Sequence, residues 1–251
     1  MILSMQALVM EENLISNRCL IAELITEIPD AGDMLSRARD YITETEKGAD
    51  IIIRAELYNP KKWEHMSEEL NIYLQSGFQF YRQILDHDGM MLHSSAVELD
   101  GKAYLFSGPC GMGKSTHTGL WRQVFGDRAV VFNDDKPALR KIDGVWYAYG
   151  TPWCGKDGIN VNTKVPLAGI CFLRRGQENV IRRLDALEAS TYLISQTMRR
   201  FKDASMLDKM LLQVERLVND IPVYELYNKP NEDAARLSYA TMHKGAMEAG
   251  L

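Results

Sequence analysis

Apolar residues along the chain fall into two patterns. Short runs of apolar or alternating residues, bounded by Gly, Pro, Asn or Asp, predict β-strands, whereas apolar positions that recur every three or four residues predict amphipathic helices. Both patterns occur along much of the chain, so the sequence predicts a mixed α/β fold. The predicted strands cover 20–28, 49–57, 90–99, 102–107, 128–133, 137–142, 145–149, 166–173 and 221–226; the predicted helices cover 67–86, 114–125, 185–199, 203–219 and, capped by Asn231, a final stretch to about 247.

Turn residues indicate how the predicted strands connect. Asp100-Gly101 and Asp143-Gly144 each separate two strands. Asp-Gly favours a tight hairpin because both turn positions need positive φ. The uninterrupted apolar run 166–173 is typical of a strand that is buried on both faces. The sequence therefore predicts a mixed, partly antiparallel sheet.

The most informative segment is 108–115, which matches G-x-x-x-x-G-K-[ST] in full. It follows an apolar strand and opens a helix, as a phosphate-binding P-loop (Walker A motif) requires. Its glycines let backbone N–H groups point inward, and the helix adds its positive end. We expect Lys114 to reach the β- and γ-phosphates of ATP and Ser115 to offer its hydroxyl to Mg²⁺; the alternative is a glycine-rich turn before an ordinary helix. The predicted nucleotide-binding residues are Gly108, Pro109, Cys110, Gly111, Met112, Gly113, Lys114, Ser115 and Thr116.

A second apolar strand ends in two acids, Asp134 and Asp135. An acid at this position is typical of the Walker B partner that holds Mg²⁺. Because successive strand side chains point to opposite faces, one acid can bind metal while the other accepts the proton of an attacking hydroxyl. We favour Asp134 for the metal and Asp135 for the base, with the reverse assignment left open. The alternative is a surface turn rich in Asp.

Residues 90–175 also resemble the HPr-kinase-like proteins of bacterial peptide-modification cassettes, and their P-loop region resembles the kinase domain of HPr serine kinase/phosphorylase. The resemblance rests on the stretches MMLHSSAVELDGKAYLFSGPCGMGKSTHT, VVFNDDKP and YGTPWCGK. It implies the P-loop fold shared with phosphoenolpyruvate carboxykinase. It also implies an ATP- and Mg²⁺-dependent kinase that phosphorylates a serine of a peptide or protein.

Two departures limit what this resemblance implies. The HPr kinase signature that resembles Glu-Ile-Arg-Gly-Leu-Gly is absent from the chain. The phosphorylase reaction, a hexamer and HPr as the substrate are therefore not implied. Cys110 stands where the family usually has Ser; it is either an oxidation-sensitive thiol or simply a small residue.

Further candidate residues surround these motifs. His93 matches the strand histidine of the family and is expected near the phosphates or the acceptor, with a buried core histidine as the alternative. Lys156, in a turn-rich loop, and Lys136 could balance charge on the transferring phosphoryl group, or be solvated lysines. An arginine run could hold nucleotide phosphate or an acidic peptide, or form a solvated hairpin. Its members are Arg174, Arg175, Arg182 and Arg183.

Composition and charge narrow the function classes. The 251 residues include 29 Lys/Arg and 34 Asp/Glu, a net charge of −5, which argues against a nucleic-acid or membrane-surface binder. The four cysteines form no C-x-x-C pair, no apolar run approaches the ~18 residues of a membrane span, and the start does not resemble a signal peptide. We therefore expect a cytoplasmic protein.

The charge distribution predicts two domains. Residues 1–70 hold 14 Asp/Glu and 7 Lys/Arg. We expect a small acidic N-terminal unit at 1–66 and the kinase domain at 67–251. The first unit would shape acceptor access, form a dimer contact, or act only as a stabilising cap.

The leading hypothesis is a kinase that transfers the γ-phosphate of ATP to a hydroxyl, with serine in a peptide or protein as the acceptor. One alternative is a kinase for a small-molecule hydroxyl, because a fold does not fix the acceptor. Another is a nucleotide-binding module of a peptide-maturation system that transfers nothing. Whether the chain forms a homo-oligomer is left open.

Overall fold

The computed structural model describes residues 16–30, 33–54, 66–197 and 203–251. The chain divides into two compact units, one up to Phe80 and one from Tyr81 to Leu251. The sequence-based boundary at 66/67 is a different division and stays a prediction. None of the helices in the described ranges is long and apolar enough to cross a membrane.

The first unit contains a three-stranded sheet with the order β1-β2-β3 in its described part. Strands β1 and β2 form an antiparallel hairpin through Ala22 and Glu23, which have φ of 51° and 62°. The single strand predicted over 20–28 is therefore wrong, because the apolar run continues through a turn that no Gly, Asn or Pro marks. The elements of this unit are β1 (Ser16–Ile21), β2 (Leu24–Pro29), α1 (Met34–Arg37), β3 (Ile51–Ile52) and most of α2 (Glu68–Gln83).

The strand predicted over 49–57 is shorter than expected. Within it, β3 covers two residues and pairs in parallel with β2, while 55–57 lie outside the described residues. The helix predicted over 67–86 is confirmed by α2, which continues into a 3₁₀ turn at Ile84–His87.

The second unit is built on a mixed sheet that has nine strands within the described ranges. Its main order is β4-β8-β9-β10-β6-β5-β7; β12 joins β10, and β11 joins β12. The strands are β4 (Gly89–Met91), β5 (Ser94–Leu99), β6 (Lys102–Ser107), β7 (Ala129–Asp135), β8 (Ala138–Ile142), β9 (Val145–Tyr149), β10 (Lys164–Arg175), β11 (Val180–Arg183) and β12 (Val223–Asn228). The helices are α3 (Lys114–Phe125), α4 (Ala186–Gln196), α5 (Ala204–Asp220) and α6 (Glu232–Glu248).

The pairing confirms a mixed, partly antiparallel sheet. Strand β10 runs parallel to β6 and β12, whereas β5 runs antiparallel to both β6 and β7. Both Asp-Gly hairpins form, with positive φ at all four residues. The strand predicted over 90–99 is two strands, because β4 pairs with β8 while β5 pairs with β6 and β7.

The buried core lies on both faces of β10, as its continuous apolar run predicts. Ile170 and Phe172 pack with residues of α4 and α5 on one face. Cys171 and Leu173 pack with residues of α3 and α6 on the other. The sheet thus has a helical layer on each face, and the C-terminal ends of β6 and β10 lie side by side.

Candidate nucleotide-binding and catalytic site

The loop at 108–113 joins the end of β6 to the start of α3, which is the strand–loop–helix arrangement expected from the sequence. Gly108, Gly111 and Gly113 have φ of 145°, 76° and 91°, a region that side chains with a Cβ rarely adopt. Successive turns of this kind can direct backbone N–H groups into an anion-binding concavity. The loop therefore fits a bound phosphate group.

The first turn of α3 is open to a ligand. Its N-cap is Gly113, which has no side chain to cap the helix, and both Ser115 and Thr116 are exposed. Unsatisfied N–H groups and the positive end of the helix dipole favour an anion there. Among the other loop residues, Pro109 and Cys110 are exposed.

Lys114 extends over its own loop. Its Nζ donates a hydrogen bond to the carbonyl oxygen of Gly108 at 3.0 Å. Burial lowers the pKa of this ammonium, while the nearby charges of Asp135 and Asp134 oppose the shift. Lys114 therefore lies within electrostatic reach of both acids.

Asp134 and Asp135 occupy opposite faces of the sheet at the end of β7. Asp134 pairs with Ser95 of β5, whose hydroxyl lies 2.8 Å from that of Thr118 on α3. Residues that pair directly across a sheet share a face, so Asp134 is on the α3 face and Asp135 is on the other. Asp134 is 8% exposed, and the Asp135 side chain is 21% exposed.

A loop after β9 passes directly over the two acids. A Cβ on Gly155, which has φ of 70°, would lie 2.9 Å from the Asp134 carbonyl oxygen. The Asp134 N–H donates to the carbonyl oxygen of Ile159 at 3.2 Å. Lys156 follows Gly155 in this loop, and its side chain is exposed. The structure thus brings the backbone beside Lys156 to the acids, and a role for its ammonium stays a prediction.

His93 and Lys136 both contact Asp135. His93 Nε2 lies 3.4 Å from Asp135 Oδ1, and the Lys136 ammonium forms an ion pair with Asp135 Oδ2. His93 Nδ1 lies 3.2 Å from Gln196 Oε1. Burial, and then the charge of Lys114, lower the pKa of His93 below 6.5; Asp135 and Gln196 oppose this, and Lys136 adds to it. His93 therefore belongs to the acid site.

Gln196 was not apparent from the sequence. It is the last residue of α4, 103 positions from His93, and no motif surrounds it. Only the packing of α4 brings the two side chains together.

The arginine run divides between two surroundings. Arg174 and Arg182 both bind the buried carboxylate of Glu225, at 3.1 Å and 2.8 Å. Burial tends to raise the pKa of Glu225, but hydrogen bonds from Tyr192 and the two arginines bring it below its usual value. Arg175 instead donates to the carbonyl oxygen of Gly111 in the glycine loop at 3.3 Å. Two members therefore neutralise a buried acid, and one contacts the candidate phosphate site.

The residues at hand fit a magnesium ion that is shared with phosphate groups. Within the described ranges, no group of three or more His, Cys, Asp or Glu side chains could hold a metal ion. Mg²⁺ bound with ATP needs no such group, because phosphates and waters supply most of its oxygen ligands. On the α3 side, Ser115 in the first turn of the helix and Asp134 at the end of β7 carry oxygens of the kind that Mg²⁺ prefers.

Comparison with known proteins gives one family match. The family described as "SynChlorMet cassette protein ScmC" matches residues 59–229. Among solved structures, the chain is similar to the Hpr(Ser) kinase/phosphatase from Coxiella burnetii, at 14% identity and a TM-score of 0.34 over 63% of this chain and 98% of that one. No curated protein matches the sequence.

Proposed function

The chain belongs to the family of SynChlorMet cassette proteins ScmC, and we propose that it is an ATP- and Mg²⁺-dependent kinase that phosphorylates a hydroxyl group. One observation carries the proposal. Two acids end β7 on opposite faces of the sheet, and the lysine of the glycine loop lies within electrostatic reach of both. Binding alone needs only one of these acids, whereas transfer needs a metal ligand and a base.

The glycine loop and the first turn of α3 bind the ATP phosphates. Backbone N–H groups and the helix dipole hold the β-phosphate, and Lys114 moves from the Gly108 carbonyl oxygen onto the β- and γ-phosphates. This exchange is favourable because a phosphate oxygen carries charge and a carbonyl oxygen does not. Arg175, beside Gly111, adds a second cation at the rim of the loop.

The metal belongs on the α3 side of the site. Ser115, in the first turn of α3, and Asp134, on the same side of β7, would hold Mg²⁺. The ion would neutralise the charge that develops on the transferring phosphoryl group.

Asp135 acts as the base on the opposite side. Its carboxylate takes the proton of the acceptor hydroxyl as that oxygen attacks the γ-phosphorus and the bond to ADP breaks. Lys136 orients this carboxylate through its ammonium, and His93 Nε2 faces the other carboxylate oxygen. Lys156, at the loop that covers the acids, adds positive charge near the acceptor.

The acceptor is a serine of a peptide or protein, and the cell location is the cytoplasm. These parts of the proposal rest on the sequence alone. A small-molecule hydroxyl as the acceptor is the competing function, since the residues around Asp135 do not choose between them.

Transfer of the γ-phosphate tests the proposal. The full chain is incubated with γ-labelled ATP and Mg²⁺, with water alone, with a serine-containing peptide library, or with a set of small hydroxyl compounds. We expect ADP to form faster with the peptides and label to appear on serine, and we expect Asp135→Asn to abolish this. Label on small compounds would favour the competing function. Absence of both ATP binding and ADP formation would contradict the kinase.

A further inference from the structure

A buried polar cluster adjoins the end of β7 that carries the acid pair. It consists of Asn133, Thr151 and Tyr81 and is centred on the main chain of Lys136. Asn133 and Thr151 are fully buried, and Tyr81 is 2% exposed. Burying a polar group without a hydrogen-bond partner costs free energy of folding. The hydrogen bonds within this cluster therefore indicate which part of the chain it fixes in place.

Every one of these side chains contacts the Lys136 main chain. The hydroxyls of Tyr81 and Thr151 both donate to the Lys136 carbonyl oxygen, the latter at 2.8 Å. Asn133 Oδ1 accepts from the Lys136 N–H at 3.0 Å. The Asn133 amide nitrogen in turn donates to the Thr151 carbonyl oxygen at 2.9 Å. Three buried side chains therefore fix one residue at both its N–H and its C=O.

The loop that carries Thr151 is fixed as tightly. A Cβ on Gly150 would lie 1.8 Å from the carbonyl oxygen of Val161, so only glycine fits before Thr151. Trp153 is fully buried and packs edge-on against the Tyr81 ring with centroids 5.4 Å apart. Neither hydroxyl can move away from Lys136 without disturbing this packing.

Lys136 connects this cluster to the acid site. Its ammonium pairs with Asp135, and Asp135 also contacts His93. In the sequence, the proposed base Asp135 thus lies between Asn133, a member of the cluster, and Lys136, whose N–H and C=O groups the cluster binds.

We propose that Thr151 and Tyr81 are positioning residues that hold the Lys136 peptide so that its ammonium stays on Asp135. They act through Lys136 and contact no reacting atom. The inference deepens the proposed function and rests on it for its catalytic meaning, whereas the positioning itself can be measured in the nucleotide-free protein.

The pKa of His93 distinguishes positioning from simple stabilisation. If Thr151 and Tyr81 only stabilised the fold, their replacement would leave this pKa unchanged. The groups that act on its pKa are Lys114, Asp135, Lys136 and Gln196. If the Lys136 ammonium leaves, its lowering effect on the pKa of His93 is lost and the opposing effect of Asp135 is less screened. Both changes raise the pKa of His93.

The experiment is an NMR titration of the His93 ring in the full chain without nucleotide. Thr151→Val and Tyr81→Phe each remove one hydroxyl and leave the other on the Lys136 carbonyl oxygen, so the fold should survive. We expect each to raise the His93 midpoint above that of the parent chain, with a non-additive effect in the double variant. Thr151→Ser, which keeps the hydroxyl, should behave as the parent chain. Thr26→Val is the matched control, because Thr26 is also fully buried and its hydroxyl also donates to a carbonyl oxygen, that of Leu24.

Activity gives the second readout. Thr151→Val should slow ADP formation about 10- to 100-fold with little change in the KM for ATP, and Thr151→Ser should restore the rate. Unchanged His93 titration in both folded variants, Thr151→Val and Tyr81→Phe, would overturn the positioning role. If the parent chain itself neither binds nor cleaves ATP, the kinase proposal fails while the titration still decides whether the cluster holds Lys136. If Thr151→Val does not fold, Tyr81→Phe alone decides by the same criterion.

Discussion

The Nε2 atom of His93 lies 3.4 Å from Oδ1 of Asp135. On the other side of the ring, Nδ1 faces Gln196 Oε1, and the amide nitrogen of Gln196 donates to the Ser195 hydroxyl. With its oxygen directed at the ring, Gln196 favours the tautomer that carries a proton on Nδ1. The Nε2 lone pair of neutral His93 is then directed at Asp135, where it can exchange a proton with the carboxyl group.

This relationship predicts a selective effect of replacing His93. His93→Gln should lower the rate of transfer about 10- to 100-fold, because Asp135 loses a proton partner. The affinity for ATP should stay nearly unchanged, because His93 is not part of the phosphate-binding loop. The measurement is kcat and KM for ATP with Mg²⁺; an equal loss in ATP affinity would place His93 in nucleotide binding instead.

The two acids should differ in what their loss removes. Asp134→Asn should weaken binding of ATP in the presence of Mg²⁺ but not without it, whereas Asp135→Asn should retain Mg²⁺-dependent affinity and lose transfer. The reason is that the α3 face carries Ser115 and Asp134, and the opposite face carries His93 and Asp135. Titration of ATP with and without Mg²⁺ separates the two, with the exposed acid Asp127→Asn as the control. The reverse pattern would exchange the two roles.

His117 should make the protein less stable in acid. It is buried on α3, and burial lowers its pKa from 6.5 to about 3. The unfolded chain therefore binds this proton more readily, so the free energy of unfolding falls as the pH drops from about 6.5 towards 3, by up to about 1.4 kcal/mol per pH unit. Above pH 6.5 this contribution is fully present. Urea unfolding at a series of pH values should show a shallower acid decline in His117→Gln; an equally steep decline would assign the acid sensitivity to other groups.

Arg175 should contribute to nucleotide affinity. Its guanidinium contacts the Gly111 carbonyl oxygen, whereas the neighbouring Arg174 is bound to buried Glu225. Arg175→Gln should weaken ATP binding about 10- to 100-fold, the effect of one charge-assisted hydrogen bond. Arg122→Gln, an exposed arginine in the last turn of α3, is the control. Equal affinities of both variants and the parent chain would mean that Arg175 only braces the loop.

Local sequence signals predicted much of the fold. The Asp-Gly hairpins, helix α3 after the glycine loop and the final helix capped by Asn231 all occur as expected, and the Asn231 side chain accepts from the Ala234 N–H. Each depends on residues that are close together in the chain, where backbone preference and capping decide the structure. The elements missed are those without such signals, and they include the β1–β2 turn at Ala22-Glu23, helix α1, the break between β4 and β5 and the short strand β11.

The candidate site was predictable only in part, because the sequence displays local motifs but not contacts between distant residues. The glycine loop and the acid pair are contiguous motifs, so the sequence displays them directly. The partners of those motifs come from distant elements: Gln196 from α4, and Thr151 and Tyr81 from 15 and 55 positions away from Lys136. Only tertiary packing brings these side chains to the acids, and no local pattern marks them.

The most direct test of the kinase account is the affinity of the full chain for ATP with Mg²⁺, compared with that of Lys114→Ala. In the structure, the Lys114 ammonium lies over the glycine loop, so its removal should weaken ATP binding about 10- to 100-fold and abolish γ-phosphate transfer. Lys141→Ala, which removes a lysine paired with Asp220 outside the glycine loop, should bind ATP as the parent chain does. Equal ATP affinity and turnover in the parent chain and in Lys114→Ala would contradict the assignment of 108–115 as the nucleotide site.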